Sequence, residues 1–538
     1  MSAKAIATEN FRTIVTSVRA VELTVCLLSG AALAFALPKA GIAWLAPLAA
    51  AGLFWAWTRL SYKRVFFAGW FAGIVFFAIS FSWFTYTVGS YVGDFGFAIV
   101  LIPAMYYALT FGLAALATRA AAAYAPAAVT PLAFAAAFTF LEYLRSIGVV
   151  GTPFAQVGYS QTSTLLGIFA AYAGSYGVTF VVMLIGGAIA HAAQYRRVAV
   201  LGCTALALTA AWIACFAFWP ARHTAPPRVR IAIVQGNIPQ SLKASNLDLA
   251  VTRYTRMTQS LRPLHPALVV WPETVILTEL DESAGYYNIA MLTPEQRKQL
   301  QSIVAKDSSL FAQFGRLAAS LNTTLMVGSL DRHYGREGIK GYNAMYTYGP
   351  NGVLQNVYDK RQLVPFAEAL PAPAIFSHLP YADLIGRYGH GTDDTVLSVD
   401  GLTFAPLICW ESAFSDIVHR QLRAGAQVLV VPTDDAWFGP SSGTYQHAQI
   451  AQMRAIESGT WVVQAASTGI SGIVAPDGRW TESLGIGKQG VVAGNVGPSP
   501  GSLFARIGPA PVAWAAALIY LAIVALGVTA RRSARARG

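Results

Sequence analysis

Over the first 219 residues apolar side chains run in long blocks, broken only by short polar loops, and near Arg228 that pattern stops. A bilayer core of about 30 Å is crossed by about 20 apolar residues in helix, because no backbone amide can stay unpaired in hydrocarbon. Eight segments meet that requirement, at approximately 21–38, 41–58, 65–88, 96–118, 126–145, 164–193, 198–219 and 511–530. Between the last two, short β-rich runs alternate with amphipathic stretches. Strands are expected at Arg230–Val234, Leu268–Trp271, Thr324–Gly328, Asn343–Tyr348, Phe404–Cys409, Val428–Pro432, Trp461–Ala465 and Ile473–Ala475, and helices at 246–260, 294–321, 415–424 and 444–458. Such alternation predicts a layered α/β domain around a buried sheet. The expected division is a membrane domain over 1–219 carrying seven spans, an α/β domain over 220–505, and a last span with a basic tail over 506–538.

Composition agrees with this division. Charged residues make up 12% of the 538 residues, against roughly 25% in soluble domains, so most of the chain is not built to face water. Long apolar runs and only 4 Cys exclude a disordered chain, a collagen-like fibre and a disulfide-rich module. The net charge of +12 is mainly a topology signal, since Lys and Arg are retained in cytoplasmic loops. Lys4, Arg12 and Arg19 precede the first span; Arg59, Lys63 and Arg64 follow the second, Arg119 the fourth, Arg196 and Arg197 the sixth; Arg531, Arg532, Arg535 and Arg537 end the chain. With eight spans all of these share one side, leaving Lys39, Asp94 and the α/β domain on the other. Both termini are then cytoplasmic and the α/β domain extracytoplasmic. No Lys/Arg cluster with interleaved aromatics marks the α/β domain, so nucleic acid is not an expected partner. Ala34 to Ala36 form an Ala-Phe-Ala motif of the kind signal peptidase cuts, but further spans follow at once and the first is expected to stay. Glu142 and Arg145, at i and i+3 near a span end, are expected as an interfacial pair whose side chains snorkel to water. The Gly-containing stretch Gly151 to Ser163 reads equally as a plain loop or as the lining of an entry from the lipid.

Three expected strand ends carry reactive side chains. Val269-Val270-Trp271-Pro272-Glu273 places a carboxylate past a buried run, Tyr358-Asp359-Lys360-Arg361 an amine, and Leu407-Ile408-Cys409-Trp410-Glu411-Ser412 a thiol. Singly each is unremarkable. Together they supply a nucleophile, a base to take its proton and a cation for the charge that develops on acyl attack. Cys26, Cys203 and Cys215 fall in expected spans, so Cys409 is the lone thiol of its domain and has no disulfide partner there. No metal site and no cofactor are expected. His447, on a helical stretch, reads as packing or surface.

Glu, Lys and Cys in this chain order, each at a strand end, resemble the nitrilase (carbon–nitrogen hydrolase) superfamily, whose fold is an α-β-β-α sandwich. With the multi-span framework added, nearly the whole chain is similar to the apolipoprotein N-acyltransferase family of the bacterial inner membrane. The segments carrying the likeness are Gln235-Gly236-Asn237-Ile238-Pro239-Gln240, Trp271-Pro272-Glu273-Thr274, Asp359-Lys360-Arg361-Gln362-Leu363-Val364-Pro365-Phe366 and Cys409-Trp410-Glu411. The resemblance implies Glu273 as general base, Lys360 as transition-state stabiliser and Cys409 as nucleophile, with Glu368, Trp410 and Glu411 in support. It further implies a two-step acyl transfer from the sn-1 ester of a phospholipid, phosphatidylethanolamine by expectation, through a Cys409 thioester to the α-amine of an S-diacylglyceryl-cysteine on an apolipoprotein. Two positions depart from the family pattern: Ala367 stands where Gly is usual, and Ala244 follows Lys243 where Trp is common. Val364, Pro365, Phe366, Leu370 and Pro371, with Trp437, Phe438 and Gly439, read either as acyl pocket and lid or as ordinary packing, and the loop 433–447 is expected to move to admit a peptide.

Two other readings exist. A membrane-anchored nitrilase-like amidase uses the same three residues but has no need of so many spans for a soluble substrate. A transporter or scaffold predicts charges inside spans and loss of the catalytic groups, whereas Glu273, Lys360 and Cys409 are all present.

Overall fold

A computed structural model describes residues 20–92, 96–239, 242, 246–277, 309–335, 338–378, 386 and 388–537. Lys4, Arg12, Arg19, Asp94, Lys243, Ala244 and the first part of the helix expected at 294–321 lie outside them. The chain divides into two compact units. One holds the residues up to Trp219, Phe438–Gln449 and those from Ser502 onward; the other holds Pro220–Trp437 and Ile450–Gly501.

The first unit is helical: α1 (Ala20–Phe35), α2 (Leu45–Arg59), α3 (Tyr62–Ser80), α4 (Trp83–Val92), α5 (Gly96–Tyr124), α6 (Thr130–Ser146), α7 (Ala170–Tyr195) and α8 (Ala199–Ala217) precede the insert. Among the described residues six helical stretches are long and apolar enough to cross a membrane: Tyr62–Ser80, Ile99–Tyr124, Ala127–Ser146, Leu165–Tyr195, Ala199–His223 and Pro509–Ala536. α1 and α2, where two further spans are expected, run 16 and 15 residues. The continuous helix expected over 65–88 is interrupted between Ser80 and Trp83. Without a hydrophobic drive between apolar helices in lipid, close approach of small residues does the packing. Gly69 and Gly73, one turn apart on α3, show this: a Cβ on either would fall within 3 Å of Phe111 or Ala108 on α5.

The side chains of Glu142 and Arg145 do not reach out to water. Both are buried, 4% and 6% exposed, with the charged groups 4.0 Å apart. The chain after α6 leaves regular helix yet stays inside the unit, with every residue over 151–162 buried. Arg145 donates to the carbonyls of Thr152 (2.7 Å), Phe154 (2.8 Å) and Ala155 (3.4 Å), while Glu142 accepts from the Val157 amide at 2.8 Å and the Thr179 hydroxyl at 2.6 Å. Buried backbone outside regular helix is tolerated only when its polar groups find partners, and these two side chains provide them. Phe438–Gln449, far away in sequence, also belongs to this unit: the Phe438 and Trp83 rings meet edge-on at 4.8 Å, and Gln446 donates to the Ser80 carbonyl at 2.9 Å.

The second unit contains two six-stranded sheets. The first has the order β12-β1-β2-β3-β4-β5, from β1 (Val229–Gln235), β2 (Leu268–Val270), β3 (Thr324–Gly335), β4 (Gly338–Tyr348), β5 (Leu354–Asp359) and β12 (Gly490–Val496). The second runs β11-β10-β9-β8-β7-β6, from β6 (Leu397–Val399), β7 (Leu402–Pro406), β8 (Val428–Thr433), β9 (Trp461–Ala466), β10 (Ser471–Val474) and β11 (Trp480–Leu484). β1, β2 and β3 are mutually parallel, as are β7, β8 and β9. Parallel strands are buried on both faces and so carry near-continuous apolar runs, as Val428 to Val431 do.

Three apolar clusters show the layering. Ile231, Val270 and Met326 of one sheet pack with Phe404, Val430 and Val463 of the other. The outer face of the first sheet is covered by α9 (Leu247–Gln259) and α10 (309–321), through Tyr254 and Phe314. The outer face of the second is covered by α11 (Ser415–Arg423) and by α12 (Ser442–Ser458), whose Ala451 and Ala455 lie in this cluster. The result is a four-layer α-β-β-α sandwich.

Candidate active site

The reactive side chains sit just beyond the carboxyl ends of strands. Glu273 follows β2, Lys360 follows β5 at once, and Cys409 follows β7. Each is held by a local device. Gly328 on β3 lies so close to the chain leaving β2 that a Cβ there would be 2.0 Å from the Pro272 carbonyl oxygen and 2.8 Å from the Glu273 Cα. Thr274, directly after Glu273, takes φ 44°, which a β-branched residue adopts only when its surroundings impose it. Cys409 has φ 52° and opens a single tight turn to Ala413. A left-handed residue other than glycine costs on the order of 1–3 kcal/mol, a strain kept where it aims a functional group.

Lys360 is at the centre. Its amide continues the β4–β5 pairing by donating to the Asn343 carbonyl at 2.8 Å, so the two side chains are neighbours. The Lys360 ammonium lies 2.9 Å from Glu273 Oε1 and 2.9 Å from Glu368 Oε1. The Asn343 amide reaches the same two oxygens, at 2.7 and 2.9 Å. The backbone amide of Asp434, past β8, donates to Glu273 Oε2 at 2.8 Å, and that of Val364 to Glu368 Oε2 at 2.8 Å. Cys409 is partly exposed beside this buried group.

These contacts fix the charge state. Burial pushes the Glu273 carboxyl up, but Lys360, Asn343 and the Asp434 amide outweigh it and hold Glu273 below the ordinary carboxylate range. Burial likewise disfavours the Lys360 ammonium, yet Glu273, Glu368 and Cys409 raise it well above an ordinary lysine. The Cys409 thiol goes the other way: burial and the Glu273 charge raise it well above its usual value, against Lys360 and a hydrogen bond with Thr433. The resting site is therefore a neutral thiol beside an ionised base and a fixed cation.

Glu411 ties the parts together from beneath. Fully buried, it accepts from the amides of Arg361 (2.6 Å), Gln362 (3.1 Å) and Ile408 (2.7 Å), and from the Tyr358 hydroxyl at 3.0 Å. One carboxylate thus joins the segment carrying Lys360 to the turn carrying Cys409. Burial lifts it to about 7 despite those donors and Lys360.

A family model described as carbon-nitrogen hydrolase matches residues 230–499, and one described as the apolipoprotein N-acyltransferase N-terminal domain matches 29–188. A protein named apolipoprotein N-acyltransferase from Bradyrhizobium diazoefficiens is 31% identical, over 81% of this chain and 80% of that protein. The chain belongs to the apolipoprotein N-acyltransferase family. Other proteins of that name, from Pseudomonas putida and Shewanella oneidensis, are 29% and 30% identical and cover 88% and 71% of this chain, and 90% and 71% of their own lengths. Among solved structures an amidase from a Nesterenkonia species is similar at 19% identity, covering 51% of this chain and 92% of that one with a TM-score of 0.35.

The structure brings Glu273, Lys360, Glu368, Cys409 and Glu411 into one site of this acyltransferase family member. Trp410 is partly exposed, its ring 5.9 Å from Phe414. Val364 and Pro365 are partly exposed, and Phe366 and Trp437 are 42% and 38% exposed. Phe438 is different: it is buried in the first unit, between Trp83 and His447. His447 is buried packing. Ala367 takes no positive φ, the left-handed position being Phe366 at 61°, so the turn that aims Glu368 closes without the family's glycine. Asn343 went unread in the sequence because it looks like one polar residue at a strand start; its signal was an amide on the strand next to Lys360. Its Oδ1 is buried with no hydrogen-bond partner among the described residues.

Proposed function

We propose that Cys409 carries the acyl group between two substrates, with Glu273 moving the proton in both directions. The chain is an N-acyltransferase of lipoprotein maturation and a multi-pass membrane protein, acting on lipid and lipoprotein substrates; the chemistry is our reading. In the first half, Cys409 Sγ attacks the sn-1 ester carbonyl of a phospholipid, phosphatidylethanolamine in our reading, as Glu273 takes the thiol proton. Lys360 stabilises the oxyanion. Collapse breaks the ester C–O bond, Glu273 protonates the departing glycerol oxygen, and a lysophospholipid leaves a thioester behind. In the second half the acceptor amine attacks that thioester, Glu273 removes an N–H proton, and the proton returns to sulfur as the C–S bond breaks.

The observation that carries this reading is that three hydrogen bonds, from Lys360, Asn343 and the Asp434 amide, hold Glu273 ionised beside a thiol that burial keeps protonated. Such a thiol is a poor nucleophile until a base removes its proton during attack, and the same base must then be ready to release that proton. Trp437 and the Val364 to Phe366 segment are assigned to the acyl chain in this proposal. Membrane spans suit these substrates, because drawing an acyl chain into water costs about 0.8 kcal/mol per methylene.

The topology is also a proposal. Counting α1 and α2 with the six longer helices gives eight spans, and the Lys/Arg distribution then puts both termini in the cytoplasm and the sandwich on the periplasmic face of the inner membrane. The functional division follows as 1–219, 220–505 and 506–538. Intact-protein mass spectrometry after incubation with phosphatidylethanolamine tests the chemistry. An acyl-sized, hydroxylamine-labile gain absent from Cys409→Ser supports it; no gain on protein whose Cys409 still alkylates rejects it.

A further inference from the structure

Three contacts tie the helices of the first unit together at one end, and they also collect its cations. The Thr58 hydroxyl, on the last turn of α2, donates to Gln194 Oε1 near the end of α7 at 3.4 Å. Arg119 of α5 donates through Nε to the Leu60 carbonyl, between α2 and α3, at 2.7 Å. A Cβ on Gly527, in the last helix (Pro509–Arg537), would fall 2.4 Å from the Tyr124 carbonyl oxygen at the end of α5. Arg59, Lys63, Arg64 and Arg119 therefore share one end of the unit, with Arg196 just past Gln194 and Arg531 one turn past Gly527.

The unit has little with which to neutralise them. Its acids among the described residues are Glu22 and Glu142, both buried, and Glu142 is engaged by Arg145, Val157 and Thr179. Arg59, Lys63, Arg64 and Arg119 form no ion pair among the described residues. Lys63 and Arg64 stand in the first turn of α3, the end of a helix whose dipole favours negative charge. Arg119 is held ready for a ligand. Its Nε is committed to Leu60 and its guanidinium lies over the Tyr62 ring, 5.5 Å from the centre, which fixes the plane and leaves both Nη groups for a partner outside the chain. A fixed guanidinium fork matches a phosphate in bidentate contact. Tyr62 and Tyr124, each 43% exposed, add amphipathic rings of the kind that settle at headgroup depth.

We propose that this end is a binding surface for anionic phospholipid, with the Arg119 fork on the phosphodiester, Lys63 and Arg64 beside it, and the acyl chains along the helices. Charge by itself does not select a lipid over a free anion, but the setting does. These cations lie at the ends of Tyr62–Ser80 and Ile99–Tyr124, two stretches long and apolar enough to cross a membrane, where lipid phosphates are concentrated. A topology signal needs only charge somewhere in a loop; Arg119, inside α5 and tied to Leu60, is placed more closely than that requires. Each Lys or Arg at a membrane surface contributes about 1 kcal/mol towards anionic lipid, so three give a preference of roughly 100-fold over a zwitterionic lipid. The proposal stands apart from the acyl-transfer reading, since it involves no residue of that site.

Native mass spectrometry of the full-length protein in detergent, titrated with phosphatidylglycerol or with phosphatidylethanolamine, tests this. The wild type is expected to hold phosphatidylglycerol roughly 100-fold more tightly than phosphatidylethanolamine, and the combined Lys63→Gln, Arg64→Gln and Arg119→Gln variant to lose at least about tenfold of that preference. Equal retention of the two lipids by the wild type, or an undiminished preference in the variant, overturns the proposal. Displacement of phosphatidylglycerol by millimolar inorganic phosphate also overturns it, since the surface would then be a site for a free anion. Removing three cations can also disturb insertion, so Arg119→Lys is read beside it: every charge stays and only the fork is lost. That protein is expected to prefer phosphatidylglycerol about fivefold less than the wild type does, and an unchanged preference overturns the placing of the phosphodiester on Arg119.

Discussion

Arg145 and Lys360 are both buried cations beside buried carboxylates, one in each unit, and their partners differ. Arg145 spends its donors on three backbone carbonyls, and Glu142 accepts from a backbone amide and a hydroxyl. Those contacts fix a stretch of chain, and a guanidinium does not release a proton in a protein. The Lys360 ammonium instead ends on two side-chain carboxylates, one of which stands beside a thiol that still has its proton. Burial of charge alone, then, does not mark a reactive site. What marks it is an ionisable side chain whose partners are themselves able to exchange protons.

The comparison can be broken at its strongest point first. Lys360→Met leaves Glu273 and Glu368 sharing one amide with no cation, and acyl transfer should fall at least ~10⁴-fold, about 5 kcal/mol of barrier, in a lipoprotein acylation assay. Arg145→Met removes the cation of the other cluster and strands Glu142 in the membrane unit. The expected loss is about 3–5 kcal/mol of stability, read as a lower melting temperature in detergent, while the Cys409 thiol of protein that still folds keeps its alkylation rate.

A smaller effect concerns Glu411, whose carboxyl titrates near 7 when folded and near 4.5 otherwise. Between those values the folded chain holds the extra proton, so stability is greatest on the acid side and falls as pH rises from about 4.5 to 7, by up to about 1.4 kcal/mol per unit. Glu411→Gln should flatten the dependence of melting temperature on pH across that window. A slope identical to wild type removes Glu411 from the account. Smallest of all is Arg479→Ala. Its partner is Asp477, and Arg479 is 81% exposed; the change in melting behaviour should lie under about 0.5 kcal/mol.

The sequence was most legible where chemistry and periodicity coincide. Glu273 and Cys409 follow apolar runs that read as strands, Lys360 follows a polar extended segment, and β1, β2, β8 and β9 fall where their apolar runs predict. β5, β6, β11 and β12 were not among the expected strands: they are short or have exposed residues, as in Leu354–Asp359 and Trp480–Leu484, so little pattern marks them. The Glu142–Arg145 pair was misplaced for a different reason. The sequence left Gly151 to Ser163 open between a plain loop and the lining of an entry from the lipid, and only the fold reveals that 151–162 turns back into the unit and needs side chains to satisfy its backbone. Phe438 stayed open between acyl pocket and ordinary packing, because its partners, Trp83 and His447, are fixed by a fold that sequence spacing does not encode.

The register of β1 has a consequence for how the protein is made. Val229 is paired with Val496 and Gln235 with Gly490, so the first strand of the sandwich is completed by its last, about 270 residues later in the chain. At roughly 5–20 residues per second of synthesis, β1 waits on the order of 15–50 s with one hydrogen-bonding edge open. An open edge is a template for pairing with any other strand. The edge stays open until the final strand emerges, and a nonsense mutation between residues 236 and 490 leaves it bare.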